Sequence, residues 1–270
     1  MAKRDIFGYL AVLLALVTCA GLIWYAFYAP HYLKIAVAPP DTGLTRYLLA
    51  LSSTLEKEKS TVRLQVIQLA TEADVKANIA AKKSDLAVVR SDSALPAASL
   101  AVASFQDLIV LTIARPAAGI ASFADLAGKH IAIIRSPDDN VALLQTIAQL
   151  HGMAKDALKP VLVAGVSEAA ALAEEKKADA IFAVMPRGSP EIAQAYDQFS
   201  EAFGAPSIFL PLNDFKTLPV INPAFKKSEL TPGEIKASPK TPEKTVRTFT
   251  FPGLIIARNA VRASTIEEFT

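Results

Sequence analysis

The sequence predicts an α/β protein of two lobes preceded by one N-terminal transmembrane helix. Three observations carry this expectation. Beyond residue 30, short apolar β-type runs alternate with segments of helical spacing, the pattern of β-α-β units. Two stretches, AKKSDLAVV (81–89) and EKKADAIFAV (175–184), each end a helix in a Lys pair and set Asp before an apolar strand. Ile6 to Tyr28 then stands apart as 23 residues without a charge.

That uncharged run matches the roughly 20 apolar residues that a helix needs to cross a bilayer, and exceeds a signal-peptide core of about 7–15. Lys3 and Arg4 precede it, and Trp24, Tyr25, Phe27 and Tyr28 cluster at its far end like an interfacial belt. It reads as an uncleaved anchor with the C-terminal domain outside. A late-cleaved signal is the rival, and Cys19 after Thr18 makes a poor lipoprotein site.

The elements follow in order. Leu33 to Ala38 is a strand ended by Pro39-Pro40. Asp41 or Thr42 caps a helix to about Lys57, with apolar Leu44, Tyr47, Leu48, Leu51 and Leu55 at helical spacing. Val62 to Leu69 alternates as a strand, and Thr71 with Asp74 forms a capping-box start for a helix to Lys83. Leu86 to Val89, Ala101 to Phe105 and Leu108 to Ala114 read as three strands. Ser122 caps a turn, and His130 to Ile134 is a strand. Asp138-Asp139-Asn140 open a helix to His151-Gly152. Strands at 161–164, 180–184 and 208–212 alternate with helices at 167–177 and 190–203. Residues 213–245 are rich in Pro and Lys with little periodicity, and Val246 to Ala257 is a late strand. The domains expected are an anchor at 1–30, a first lobe at 31–115 plus 213–270, and a second lobe at 116–212. The sheets of the two lobes are expected to be parallel and separate. Ser264 and Thr265 read as the cap of a helix cut short at Thr270, as in a fragment.

Composition narrows function. The 270 residues carry 28 basic and 26 acidic side chains, a net +2, which leaves no basic footprint for nucleic acid. One Cys and three scattered His exclude a zinc cluster and argue against a His-based metal or triad site. The sequence shows no HExxH, GxGxxG or P-loop, and Gly165-Val166-Ser167-Glu168-Ala169 lacks the last Gly of a nucleophile elbow. No enzyme activity and no cofactor are therefore expected.

Residues 122–153 (SFADLAGKHIAIIRSPDDNVALLQTIAQLHGM) resemble the opening of the second lobe in type II periplasmic binding proteins. They are most similar to the TAXI class, solute receptors of some tripartite (TRAP) transporters. Ser122, Asp125, Leu126, Gly128 and Lys129 match its entry motif, and SDLAVVRSD (84–92) and TVRTFTFPGLIIA (245–257) resemble first-lobe strands. The resemblance spans about 33–262. Departures include the reduced loop Pro39-Pro40-Asp41-Thr42-Gly43, Ala70-Thr71 in place of Gly-Ser, a missing Gly-Tyr pair before the late strand, and Asp138-Asp139 where small residues are usual.

The resemblance implies a periplasmic receptor that captures a small carboxylate, a dicarboxylate or acidic amino acid, and hands it to an integral membrane permease. The alternative is a sensing or scaffold ectodomain with a signalling partner, which kept the fold but not transport. A small anion wants helix N-termini and an Arg fork. The candidate ligand residues are Thr42, Gly43, Arg90, Ser91, Asp92, Arg135, Ser136, Asp139 and Asn140. Arg90 and Arg135 each follow an apolar strand, and Asp92 either binds an amino group or caps a helix. The acids at 138–139 either complement a helix dipole or hold a divalent ion, for which three side chains are too few. Arg115-Pro116 reads as a hinge between lobes.

Overall fold

The computed structural model describes residues 13–21, 30–38, 42–134, 139–154, 156–213 and 217–261. Among these, no helix is long and apolar enough to cross a membrane. Residues 13–21 are helical and exposed, and the rest of the expected anchor at 6–28 lies outside the described residues, as does the expected helix after Ser264.

The chain forms two β-α-β units whose strands meet in one sheet. The first unit comprises β1 (His31–Val37), α1 (Thr42–Lys57), β2 (Val62–Gln68), α2 (Glu72–Ala80) and β3 (Leu86–Arg90). A long strand, β4 (Ser99–Ala114), leads to the second unit: β5 (His130–Ile134), α3 (Asp139–Leu150), β6 (Lys159–Val163), α4 (Val166–Glu174) and β7 (Ala180–Pro186). Then come α5 (Pro190–Phe203), β8 (Ile208–Phe209), α6 (Leu218–Ile221), β9 (Lys226–Leu230) and β10 (Val246–Arg258). The strand order is β2-β1-β3-β10-β4-β7-β5-β6, with β8 on β4 and β9 on β10.

Within each unit the strands are parallel, as expected. The expected separation of two sheets does not hold, because β4 and β10 run antiparallel between the units and join them. β4 also merges the two runs read at 101–105 and 108–114. Its first half pairs with β10, and from Leu108 onward it pairs with β7 as well. Gln106 and Asp107 interrupt its apolar pattern at the changeover. In the Pro- and Lys-rich stretch, α6 and β9 were not expected. KKSEL is a short edge strand whose Ser228 and Leu230 are buried.

Each unit is a three-layer sandwich. In the first, α1 covers one face through Leu44 and Leu48 against Leu33, Ile35 and Val62. On the opposite face α2 packs Val75 and Ile79 on Ala36, Ala87 and Val89. In the second, α3 packs Leu143, Leu144 and Ile147 against Ile131, Ile133 and Phe182. α4 and α5 cover the reverse face through Ala169, Ile192 and Phe199.

The sequence echo has a structural counterpart. Lys82 and Lys176 both turn the chain out of a helix at positive φ, 60° and 56°. The following acids do the same work in each unit. Asp85 Oδ2 accepts from the Lys34 N–H at 3.1 Å, and Asp179 Oδ2 accepts from the His130 N–H at 3.1 Å. Each carboxylate thus ties the start of its strand to the neighbouring strand's first residues. The capping box at Thr71 and Asp74 forms as expected. At the turn after Ser122, Asp125 Oδ2 accepts from the Ala121 and Ser122 N–H groups and from Ser122 Oγ.

Arg115 is not simply a linker residue. Its guanidinium donates to the Ala173 and Ala178 carbonyls, closing the end of α4, and lies over the Phe203 ring, 4.9 Å from the centroid. These bonds tie the crossover to the second unit.

Candidate functional site

In parallel α/β sheets, ligand sites form beyond the carboxyl ends of the strands, where helix N-termini point. This chain has a cavity of about 390 Å³ there. Ala38, Arg90, Ile134, Ala164 and Pro186, at the ends of β1, β3, β5, β6 and β7, all line it. The first turns of four helices do so too, through Leu44, Glu72, Val166 with Ser167, and Glu191. Both units and both joining strands contribute, so the cavity is the cleft between the lobes.

Its walls are largely apolar: Val88, Val89, Phe105, Leu108, Val184 and Met185. Polar groups sit among them. Gln194 and Gln198 follow Glu191 along one side of α5 and are exposed at the cleft, and Gln106 comes from the middle of β4. Glu72 is buried at 6% exposure. Its Oε1 accepts from the Arg90 N–H at 3.2 Å and from Ser93 Oγ at 3.3 Å, and pairs with Lys76 at 3.2 Å.

α4 presents its N-terminus to the cavity without a side-chain cap. Gly165 at the N-cap makes none, and the Glu168 carboxylate turns back to accept from the Ala164 N–H at 2.7 Å. The N–H groups of the first helical turn have no partner within a helix, and together with the helix dipole they favour an anion.

The structure brings three of the expected ligand residues together, on one another. Arg90 is 6% exposed. Its Nε donates to Asp92 Oδ1 at 2.8 Å and its Nη2 to Asp92 Oδ2 at 2.5 Å, a fork-to-fork pair. Its Nη1 donates to Asn140 Oδ1, and its face lies 4.8 Å from the Phe251 ring centroid. Of these three, only Arg90 lines the cavity. Ser91 donates its N–H to the Pro252 carbonyl, while its Oγ is buried with no hydrogen-bond partner among the described residues. Gly43 is exposed in the first turn of α1 and does not line the cavity, and the side chain of Thr42, the first residue of α1, lies outside the described residues. Arg135 and Ser136 lie outside the described residues, as does the side chain of Asp139, the first residue of α3.

Sequence reasoning missed Glu72, Gln106, Ser167, Glu191, Gln194 and Gln198. The α5 residues carried a faint signal: three polar side chains at spacings of three and four, on a helix whose Ile192, Ala195 and Phe199 are buried. A solvated face has the same spacing. Among the described residues, no group of three or more His, Cys, Asp or Glu side chains is placed to hold a metal ion.

Solved structures with the same fold are numerous and distant in sequence. The periplasmic aliphatic sulphonate binding protein SsuA of Escherichia coli is 13% identical with a TM-score of 0.51, over 85% of this chain and 62% of its own. The chain thus spans less than two thirds of that protein's length. XAC2383 of Xanthomonas citri, solved bound to ATP, is 11% identical with a TM-score of 0.56, over 88% and 80% of the two chains. The effector-binding domain of QuiR, in complex with shikimate, is 12% identical with a TM-score of 0.51, over 89% and 94%. At these identities the likeness establishes the fold alone, that of two-lobed periplasmic binding proteins. No curated protein matches the sequence significantly. Residues 58–203, more than half of the chain, match the model of one family, and the chain belongs to it: the NMT1/THI5-like family.

Proposed function

We propose that this chain is an extracytoplasmic solute receptor that captures a small carboxylate in the cleft between its lobes. One observation carries the reading. An apolar cavity lies at the carboxyl ends of five strands, with the uncapped N-terminus of α4 opening into it. The carboxylate end sits on the N–H groups of Val166 and Ser167, and the apolar body lies along Val88, Phe105 and Met185. Gln194 and Gln198 hydrogen-bond a second polar end, as in a dicarboxylate or acidic amino acid. The expected role of Arg90 as the direct ligand for a carboxylate is set aside, since Asp92 fills its fork.

The uncharged run at 6–28 anchors the chain in the cytoplasmic membrane, with the lobes in the periplasm. The resemblance to the TAXI class makes a TRAP-type permease the partner. A second reading, a sensing or scaffold ectodomain, is favoured by the Arg90–Asp92 pair, because it removes the cleft's strongest anion group.

The test is thermal unfolding of the full chain in mild detergent with acids, sulfonates, amides and amines built on the same carbon skeletons. Carboxylates should raise the midpoint and their amides should not. A shift from amines alone would reject the carboxylate assignment. No shift from any class would leave the ectodomain reading.

A further inference from the structure

We propose that Arg90, Asp92 and Asn140 form a latch between the lobes, with Asp92 serving as a built-in carboxylate that holds the cleft closed without a ligand. Arg90 ends β3 and Asp92 follows two residues later in the first unit; Asn140 is the second residue of α3 in the second. The guanidinium and the carboxylate are nearly buried, with side chains 7% and 4% exposed. A buried Arg without its carboxylate is costly, so the pair stays together as a neutral unit. A donor outside that fork, Nη1, reaches across to Asn140 Oδ1. Asn140 is oriented to receive it, because its Nδ2 donates to the Ile134 carbonyl at 2.9 Å.

A second bond crosses beside the first. Asn222 Nδ2 donates to the Asp92 carbonyl at 2.9 Å, and its amide is fixed by the Ala224 N–H on its Oδ1 at 3.0 Å. Leu218 and Phe225, on either side of Asn222, pack in the same core as Leu143 and Ile147 of α3. Phe251 of β10, a strand common to both units, supports the guanidinium face. The chain segment 90–92 is therefore held to the second unit at two points. A ligand acid that took Arg90 would strand the Asp92 carboxylate in a buried place, which is why the acid is directed to α4 instead.

The latch rests on the two-lobed cleft but not on the identity of the ligand, and its test uses none. Spin labels are placed on Lys57→Cys and Glu174→Cys, exposed positions at the ends of α1 and α4, in a Cys19→Ser background of the full chain. The ligand-free parent should give one narrow distance distribution. Asn140→Ala, which leaves the Arg90–Asp92 pair intact, should broaden it toward longer distances, and Asn222→Ala should do so to a lesser degree. A broad distribution in the ligand-free parent overturns the latch. So does a narrow one that neither substitution changes. Should Asn140→Ala fail to fold, the parent distribution and Asn222→Ala decide the matter. A failed latch leaves the ligand panel unaffected, and a silent panel leaves these distances unaffected.

Discussion

Gly253 is the position where one added methyl group tests the cleft's architecture. It lies in β10 opposite Arg90 of β3 and Gln106 of β4, and it lines the cavity. A Cβ there would stand 2.5 Å from Cζ and 2.7 Å from Cε1 of Phe105. Strands on both sides hold the backbone of Gly253, so the ring must move, and the open side is the cavity. Overpacking costs about 1–3 kcal/mol. Replacing Gly by Ala returns about 0.4–1 kcal/mol by narrowing the unfolded ensemble where no strain arises. The ring has room to swing, which places the strain near its lower end and makes Gly253→Ala destabilising by roughly 1 kcal/mol. In a Phe105→Ala background the obstacle is gone, and the same substitution should become neutral or stabilising by up to about 1 kcal/mol. Urea unfolding of the four chains of this double-mutant cycle measures the change of sign. Equal destabilisation in both backgrounds would refute the reasoning, because the Phe105 ring would then not be what the methyl group meets. The single variant should also weaken ligand binding, since the displaced ring fills the cleft.

Three further outcomes follow from the same contacts. Thr71→Ala removes the side chain that accepts from the Asp74 N–H at 3.0 Å, and should cost about 0.5–2 kcal/mol in chemical unfolding. Arg115→Ala strips the Ala173 and Ala178 carbonyls of a charged donor and the Phe203 ring of its cation, and should cost about 1–3 kcal/mol by the same assay. Stability should fall on acidification below about pH 4.5. The Ala121 N–H, followed by Ser122, holds the Asp125 carboxyl below its ordinary 3.8. Burial raises Glu234, but the Thr231 N–H and Arg187 outweigh it and leave the group below its ordinary 4.5. Both folded values are depressed, so the stabilisation is present above the ordinary values and lost as pH falls through the lowered ones. Glu234→Gln should flatten part of this decline in acid titrations followed by circular dichroism, and an unchanged slope would contradict the assignment.

Local signals made most of the fold legible. The Pro190 start of α5, the Thr71 capping box and the paired Lys-Asp echoes all formed where the chain chemistry pointed. The joining of the sheet was not legible, because it depends on β4 changing partners at Leu108, and a pairing partner leaves no local mark. β9 was hidden by its length and by Lys226 and Lys227 on an exposed edge. In the site, the end of a strand and the start of a helix pointed to Arg90, Asp92 and Asn140, of which Arg90 lines the cavity and the other two hold its guanidinium. That they would bind one another was beyond sequence reasoning, since their alignment depends on how two units separated by β4 come together. Glu191, Gln194 and Gln198 were missed because a polar face toward a cleft and one toward solvent have the same period.

The most direct test of the receptor reading is a calorimetric titration of small carboxylates into the full chain and into Val166→Pro. Proline is tolerated in the first turn of a helix, and Gly165 before it is already extended, at φ −174° and ψ −174°. The substitution therefore removes one backbone donor while keeping α4. The parent chain should bind a carboxylate saturably, and the variant should lose about tenfold or more in affinity, on the order of a charge-assisted hydrogen bond. Equal affinity in both chains would contradict the placement of the acid on α4, and no binding by a well-folded parent chain would contradict the receptor itself.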